Sequence, residues 1–354
     1  ASNQSVADLL PCLRVHAHAR GSTEQAGEQP GRPPAPHRRI KADRSQDRAL
    51  AIEARRRDLA DRDGPCRQFR TGIEQGRQNG QAYRFEATEN YVLELRQGRW
   101  VAVQARTTPG ETDFLLQLAD QYPAIRGVVG WANLSDPKLA ELLDQWGQHA
   151  AFKGLRHILQ DEADVLVWTG SVDIQRGLKR LQKQGLVYDV LVFERQIADV
   201  VHFCAQHDQH ALVLDHLGKP ALKSADGIVR LSSDWIRGIK ALAAMPHVMC
   251  KVSGLVTETD WLQYPDIRPG DIEKIFDCCD QVLDAFGPHR LMFGSDWPVC
   301  QLAAPYGRVH DLTQQWANAR LSPHEQEAFW SGNAMRCYAL HHPVGVNIED
   351  TDNL

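Results

Sequence analysis

The stretch Arg290-Leu-Met-Phe-Gly-Ser-Asp-Trp-Pro-Val-Cys300 runs an apolar segment straight into a carboxylate. Leu291, Met292 and Phe293 have the character of a strand buried on both faces, and Gly294 lets the backbone crowd a neighbour. Asp296 then stands just past the strand's C-terminal end. A carboxylate there can act as a general base on water, or it can cap a turn before Pro298, and the stretch alone weighs the two evenly. The ends of six other apolar runs are polar as well: Gln104 and Arg106, Trp131 and Asn133, Arg156 and His157, Tyr188 and Asp189, Asp215 and His216 with Lys219, and Lys251 with Ser253. Polar groups gathered at the ends of apolar strands are the pattern of a site at the mouth of a barrel. His16-Ala-His18 adds two imidazoles that strand alternation would put on one face, a spacing suited to a divalent metal.

Those residues need a scaffold that brings strand ends together. From residue 100 onward, apolar runs alternate with amphipathic helices. Strands are expected at 101–103, 127–134, 152–159, 187–193, 211–214, 248–255 and 291–293, and helices at 111–122, from Asp136 and Pro137 through Trp146, from Ser171 to Gly185, at 197–204, 235–244, 271–286 and within 322–340. The alternation implies parallel βαβ units and a (β/α)8 TIM-type barrel whose first strand is absent or atypical. The eighth strand must come from before residue 100. The candidates are 10–18, which would carry His16 and His18 to the mouth, and Tyr91-Val-Leu-Glu-Leu95, which lies so close to Val101 that a helix is expected there instead.

Composition limits what the barrel can serve. The chain has 354 residues, 43% of them hydrophobic, and a formal net charge of −5 with pI about 6.3, which suits a globular enzyme of barrel size and gives no sign of a nucleic-acid partner. No apolar run is long enough to cross a bilayer, and a cytoplasmic protein without membrane partners is expected. Eight cysteines without a Cys-x-x-Cys pair read as idle or buried thiols. Charge is distributed unevenly: residues 1–100 hold 17 Arg and one Lys against 13 acids, a balance of +5, which leaves −10 for the remainder. The first part also has Gly-Arg-Pro-Pro-Ala-Pro and Arg55-Arg56-Arg57 with few clustered aliphatics, the composition of a segment unable to bury a core. The expected division is an Arg-rich segment at 1–97, with one short helix around 44–61, a barrel at 98–342 and a tail at 343–354.

Six motifs in order, Val-Gln-Ala-Arg (103–106), Gly-Val-Val-Gly-Trp (127–131), Lys-Gly-Leu-Arg-His (153–157), Leu-Asp-His-Leu-Gly-Lys-Pro (214–220), Lys-Val-Ser-Gly-Leu (251–255) and Phe-Gly-Ser-Asp-Trp-Pro (293–298), closely resemble the sugar-lactone-hydrolysing branch of the amidohydrolase superfamily, the L-fuconolactonases and L-rhamnonolactonases. The resemblance implies a hydrolase that opens a sugar acid lactone. Asp296 would be the general base that activates water, and His216 would face the substrate or a metal. Arg156, His157 and Lys251 would face the lactone carbonyl, hydroxyls or ring oxygen, with Gln104, Asn133, Tyr188 and Trp297 as further substrate contacts. The family's first strand ends in His-x-His and binds a divalent, zinc-like metal together with residues such as His216 and Asp296. Here only His16 and His18 match that spacing, in a poor strand context, and chance is the expectation for the pair. An altered reading frame or a replaced N-terminus would account for both the Arg-rich composition and the lost motif. Part of the superfamily opens lactones without a tightly held metal, so both cofactor readings stand. The alternatives are another amidohydrolase-like metal-dependent hydrolase or decarboxylase, and an inactive barrel lacking strand one.

Overall fold

Seven strands run parallel in one sheet, and from the second onward each is delivered by a helix that packs on the sheet's outer face. The structure is a computed structural model that describes residues 73–78, 81–86, 91–95, 99–223, 231–261, 264 and 266–340. The expected elements at 10–18, 44–61 and 343–354 lie outside the described residues. The parallel strands are β4 (Arg99–Val103), β5 (Ile125–Gly130), β6 (Phe152–His157), β7 (Val187–Val190), β8 (Leu212–Leu214), β9 (Val248–Val252) and β10 (Leu291–Phe293), paired in sequence order. Each overlaps one of the seven apolar runs read from the sequence, β4 and β5 beginning two residues earlier than expected.

The segment Tyr91–Leu95, expected as a helix, is instead strand β3. It pairs antiparallel with β4, Tyr91 opposite Val103 and Leu95 opposite Arg99. Its apolar and β-branched residues suit a pleated edge, and the connection to β4 is too short for anything but a hairpin-like return. β3 and β10 are the two ends of the sheet order, with no ladder joining them among the described residues. The sheet is a curled, incomplete barrel.

The chain divides into two compact units, 1–88 and 89–354. In the first, β1 (Ile73–Gln78) and β2 (Gln81–Glu86) form an antiparallel hairpin that the composition of this region did not suggest. The sequence between them is Asn79-Gly80, the dipeptide most favoured for two-residue hairpin loops.

In the second unit the helices between strands are α1 (Pro109–Gln121), α2 (Leu139–Trp146), α3 (Val165–Gly170), α4 (Val172–Lys183), α5 (Ile197–Gln206), α6 (Ser233–Ala243) and α7 (Pro269–Phe286). After β10 come α8 (Tyr306–Arg320), absent from the sequence reading, then α9 (Pro323–Glu327), a π-helical turn at Ala328–Gly332, and α10 (Asn333–Cys337). Local chemistry sets their ends. Ser322 caps α9 in a reciprocal capping box with Glu325, and Gly185, at φ +66°, lets the chain reverse after α4 into β7. α2 was expected to start at Asp136 and Pro137, but Asp136 accepts from Lys138 N at 2.8 Å in a turn that precedes it, and the helix begins at Leu139.

Two apolar layers hold the sheet. The outer layer, between strands and helices, contains Trp146, Trp235, Trp316, Tyr188 and Phe203, all essentially fully buried. The inner layer is smaller: Val101, Val103, Val129, Val187, Val213 and Met292 point inward against Ala334, Tyr338 and Leu340. Each buried side chain of this size contributes about 1.5–3 kcal/mol. Asn333 fastens α10 to the start of β10 by donating to the carbonyls of Leu291 and Pro288. No helix among the described residues is long and apolar enough to cross a membrane.

Candidate functional site

β10 ends at Phe293, and the chain turns so that Asp296 adopts φ +54°. That conformation is costly for a residue with a Cβ, on the order of 1 kcal/mol, and the surrounding backbone holds it: the Asp296 carbonyl accepts from Cys300 N at 2.8 Å. The side chain is buried, and its Oδ1 has no hydrogen-bond partner. Burial pushes the Asp296 carboxyl up to about 7, against the opposing pull of Lys219 and Arg156. A carboxylate poised there can take a proton from water near neutral pH.

His216 reaches Asp296 from β8. After Leu214 the backbone leaves the strand, and His216, Leu217, Gly218 and Lys219 all have positive φ, from +47° to +67°. Four consecutive left-handed residues need external support. Trp235 on α6 supplies part of it, its indole N–H donating to the Leu217 carbonyl at 2.8 Å. The imidazole is fixed on one edge by Ser253 Oγ, 2.7 Å from Nδ1, while Nε2 lies 3.6 Å from Asp296 Oδ1. Gly254 completes the fit, because a Cβ at this residue would stand 2.7 Å from the His216 ring. Burial holds His216 well below its ordinary pKa, so the ring is neutral at pH 7.

Below this pair lies a chain of buried charges. Arg156 Nη1 donates to Asp215 Oδ2 at 2.8 Å, Lys251 Nζ donates to Asp189 Oδ2 at 2.5 Å and forms an ion pair with Asp215 Oδ1 at 2.7 Å, and Tyr338 Oη donates to Asp189 Oδ1 at 2.9 Å. Arg156 also donates to the Gln104 carbonyl, and the Gln104 side chain returns a bond to the Arg156 carbonyl at 3.0 Å. Strand register creates the chain, since Arg156 stands beside Asp189 across β6 and β7. Burial would raise the Asp215 carboxyl, but Lys251 and Arg156 outweigh it and hold Asp215 well below the usual carboxylate range. Burial raises Asp189, with one lysine shared between two carboxylates.

The structure thus brings His216 and Asp296 together and distributes the other sequence-selected residues differently. Arg156 and Lys251, expected at the lactone, give their donors to buried aspartates. Gln104 is fully buried, its amide N–H on the Arg156 carbonyl. His157 points the opposite way from Arg156, as strand alternation requires; it meets Glu162 Oε1 at 2.6 Å, accepts from Trp131 Nε1 and stacks on Trp168 at 4.4 Å. Tyr188 lies in the outer apolar layer, its ring 5.9 Å from Phe203 on α5. Asn133 is exposed and closes its own turn by accepting from Ser135 N at 3.1 Å. Trp297 is half-buried and packs against the outer layer. His16 and His18 lie outside the described residues. Asp189, Asp215 and Ser253 received no role from the sequence, although their positions at strand ends were a signal. Tyr338 gave none, because it reaches Asp189 from 149 residues away.

Comparison with known proteins agrees with this architecture. The family model described as amidohydrolase matches residues 15–340. A protein of Burkholderia multivorans named L-fucono-1,5-lactonase is 51% identical over 251 residues, covering 71% of this chain and 84% of its own length. A protein of the same name from Burkholderia ambifaria is 30% identical over 250 residues, covering 70% and 82%. A crystal structure of a Burkholderia multivorans amidohydrolase with bound zinc superposes with a TM-score of 0.65 at 52% identity, covering 69% of this chain and 84% of that one. With a parallel sheet curled around buried strand-end charges and a family match across most of its length, this chain belongs to the amidohydrolase family.

Proposed function

We propose that this protein hydrolyses a sugar acid lactone of the L-fucono-1,5-lactone type, with Asp296 as the base. The observation that carries the reading is the buried, unpartnered Asp296 Oδ1 facing His216 Nε2 across 3.6 Å. Burying a carboxylate oxygen without a donor is costly, and such an atom in a strained turn is poised for a ligand. The names borne by the relatives support a lactone as that ligand.

The reaction needs little more than the pair supplies. Asp296 takes a proton from water as its oxygen bonds to the lactone carbonyl carbon. The ring C–O bond then breaks, and the proton on Asp296 passes to the departing alkoxide, giving an open-chain hydroxy acid. Ser253 fixes the plane of His216: in the tautomer whose Nδ1 accepts from the serine, Nε2–H can donate where charge develops on oxygen, and in the other tautomer Nε2 is free to hold an ion.

The pair is also suited to a metal. One imidazole nitrogen and one carboxylate oxygen 3.6 Å apart can share an ion, and the orphaned Oδ1 fits that use. They are two of the four donors that zinc takes, and no group of three such side chains gathers among the described residues. His16 and His18, just inside the start of the family match, would be the remaining two. A bound divalent ion would polarise the lactone carbonyl and acidify water.

The test uses the full chain with L-fucono-1,5-lactone, following acid release above the spontaneous rate. Enzyme-dependent release that is lost in Asp296→Asn is expected, and a rate equal to the blank overturns the reading. Metal analysis of the same preparation tests the pair read above as a chance match: one zinc-like ion per chain that is absent after His16→Ala and His18→Ala would overturn that reading.

A further inference from the structure

The left-handed run that delivers His216 ends on a second feature. Its last residue, Lys219, lines a cavity of about 650 Å³ together with Phe193, Arg195, Arg237 and Glu258. That volume is within the range of small-molecule pockets. Because His216 and Lys219 are the two ends of one turn, the Asp296 pair and the cavity are positioned by the same four residues. Two tethers fix that turn: Trp235 on the Leu217 carbonyl, and Glu194 Oε2, which accepts from Ala221 N at 2.6 Å.

Lys219 has the features of a ligand-binding cation rather than a structural one. It forms no ion pair among the described residues, in contrast to Lys251, and its ammonium lies 5.1 Å from the Phe193 ring centroid, with the Arg195 guanidinium 4.7 Å from the same ring. Its φ of +47° is a strained conformation for lysine, where glycine would be the ordinary choice. Glu258, on the turn after β9, lines the same cavity without an ion-pair partner among the described residues. A cation and a carboxylate half-buried in one cavity, neither neutralised by a contact with the other, are complementary to a ligand that has both acceptors and donors.

We propose that Lys219 and Glu258 bind the polar edges of the lactone, Lys219 taking the carbonyl oxygen and then the product carboxylate, and Glu258 accepting from ring hydroxyls. The proposal rests on the lactonase reading. It gives the cavity the part of the site that selects a polyhydroxylated substrate and leaves bond breaking to Asp296. Phe193 would lie against the carbon face of the sugar.

Steady-state kinetics on the lactone, with calorimetric binding of the open-chain aldonate as an activity-independent readout, tests it in the full chain. Lys219→Met should raise KM for the lactone and Kd for the aldonate about tenfold, the loss expected for one charge-assisted hydrogen bond, while Lys219→Arg keeps both within about threefold. Glu258→Gln should raise KM by a similar factor, and it provides an independent reading if Lys219→Met does not fold. Unchanged KM and Kd in a folded Lys219→Met or in Glu258→Gln overturn the proposal while the wild type still turns over. A wild type that opens no lactone overturns the lactonase reading instead, and aldonate binding that weakens in Lys219→Met would then still place the cavity's ligand at Lys219.

Discussion

Two carboxylates just past the ends of β8 and β10, strands separated in the sheet by β9, are both buried, yet their environments oppose each other. Asp215 is held by Arg156 and Lys251, which keep it ionised and depress its pKa. Asp296 has an oxygen without a partner and is pushed up to about 7 by burial. In the same curled sheet, one aspartate has its charge answered by two cations at ion-pair distance and the other has none there. The answered charge ties strands β6 to β9 together, and the unanswered one is the base in the function proposed above.

The largest effect should come from breaking the answered set. Lys251→Met leaves Asp189 and Asp215 short of their shared cation in a buried site and should cost about 3–5 kcal/mol of stability, read from urea unfolding. A variant as stable as the wild type would mean that water or rearrangement replaces the lysine, and the contrast between the two regions would fail.

Asp296→Asn should keep the fold and lower lactone turnover at least about 10²-fold, the size of a lost general base. The same variant separates the regions by pH. Asp296 has a folded pKa raised above its unfolded value, so its contribution to stability is present below about pH 4 and is lost as pH rises through about 7. Asp215 is the reverse: its contribution is present above about pH 4 and is lost as pH falls through its depressed folded value. In chelator-treated protein, Asp296→Asn should therefore gain in melting temperature over the wild type between pH 5 and pH 8. A difference that stays flat across that range would sink the assignment of a buried, unpaired carboxylate.

Smaller effects sharpen the picture. Ser253→Ala should reduce turnover about tenfold with KM little changed, because the serine orients His216 without a direct place in bond breaking. An equal change in KM would place Ser253 at the substrate. Tyr338→Phe removes one hydrogen bond to Asp189 and should cost about 1 kcal/mol, with no loss of turnover per folded molecule.

Much of this architecture is legible in the sequence because parallel strands buried on both faces are short, continuous apolar runs. Val101, Val128, Val187, Leu212, Val248 and Leu291 each announced a strand that the structure contains. Tyr91–Leu95 was misread because periodicity in five residues does not distinguish a strand from a helix, and the antiparallel return to β4 depends on a partner surface. Tyr188 and His157 were misplaced for a related reason: a strand end offers two adjacent polar residues, and only the pleat decides which one faces inward. Asn133 looked like a site residue because an amide that closes its own turn and an amide that binds a ligand have the same letter.

The sequence by itself determined the parallel α/β class, the seven strands and the placement of Asp296 and His216 just past strand ends, since these depend on local hydrophobic pattern and chain order. Tertiary structure alone decided which charges are consumed within the protein. Arg156, Lys251, Asp189 and Asp215 are separated by 26 to 95 residues and meet only because strand register sets them side by side in a low-dielectric interior. In that interior cations at ion-pair distance make one aspartate a structural anion, and Asp296, with no such cation at its carboxylate, is the one proposed as the base.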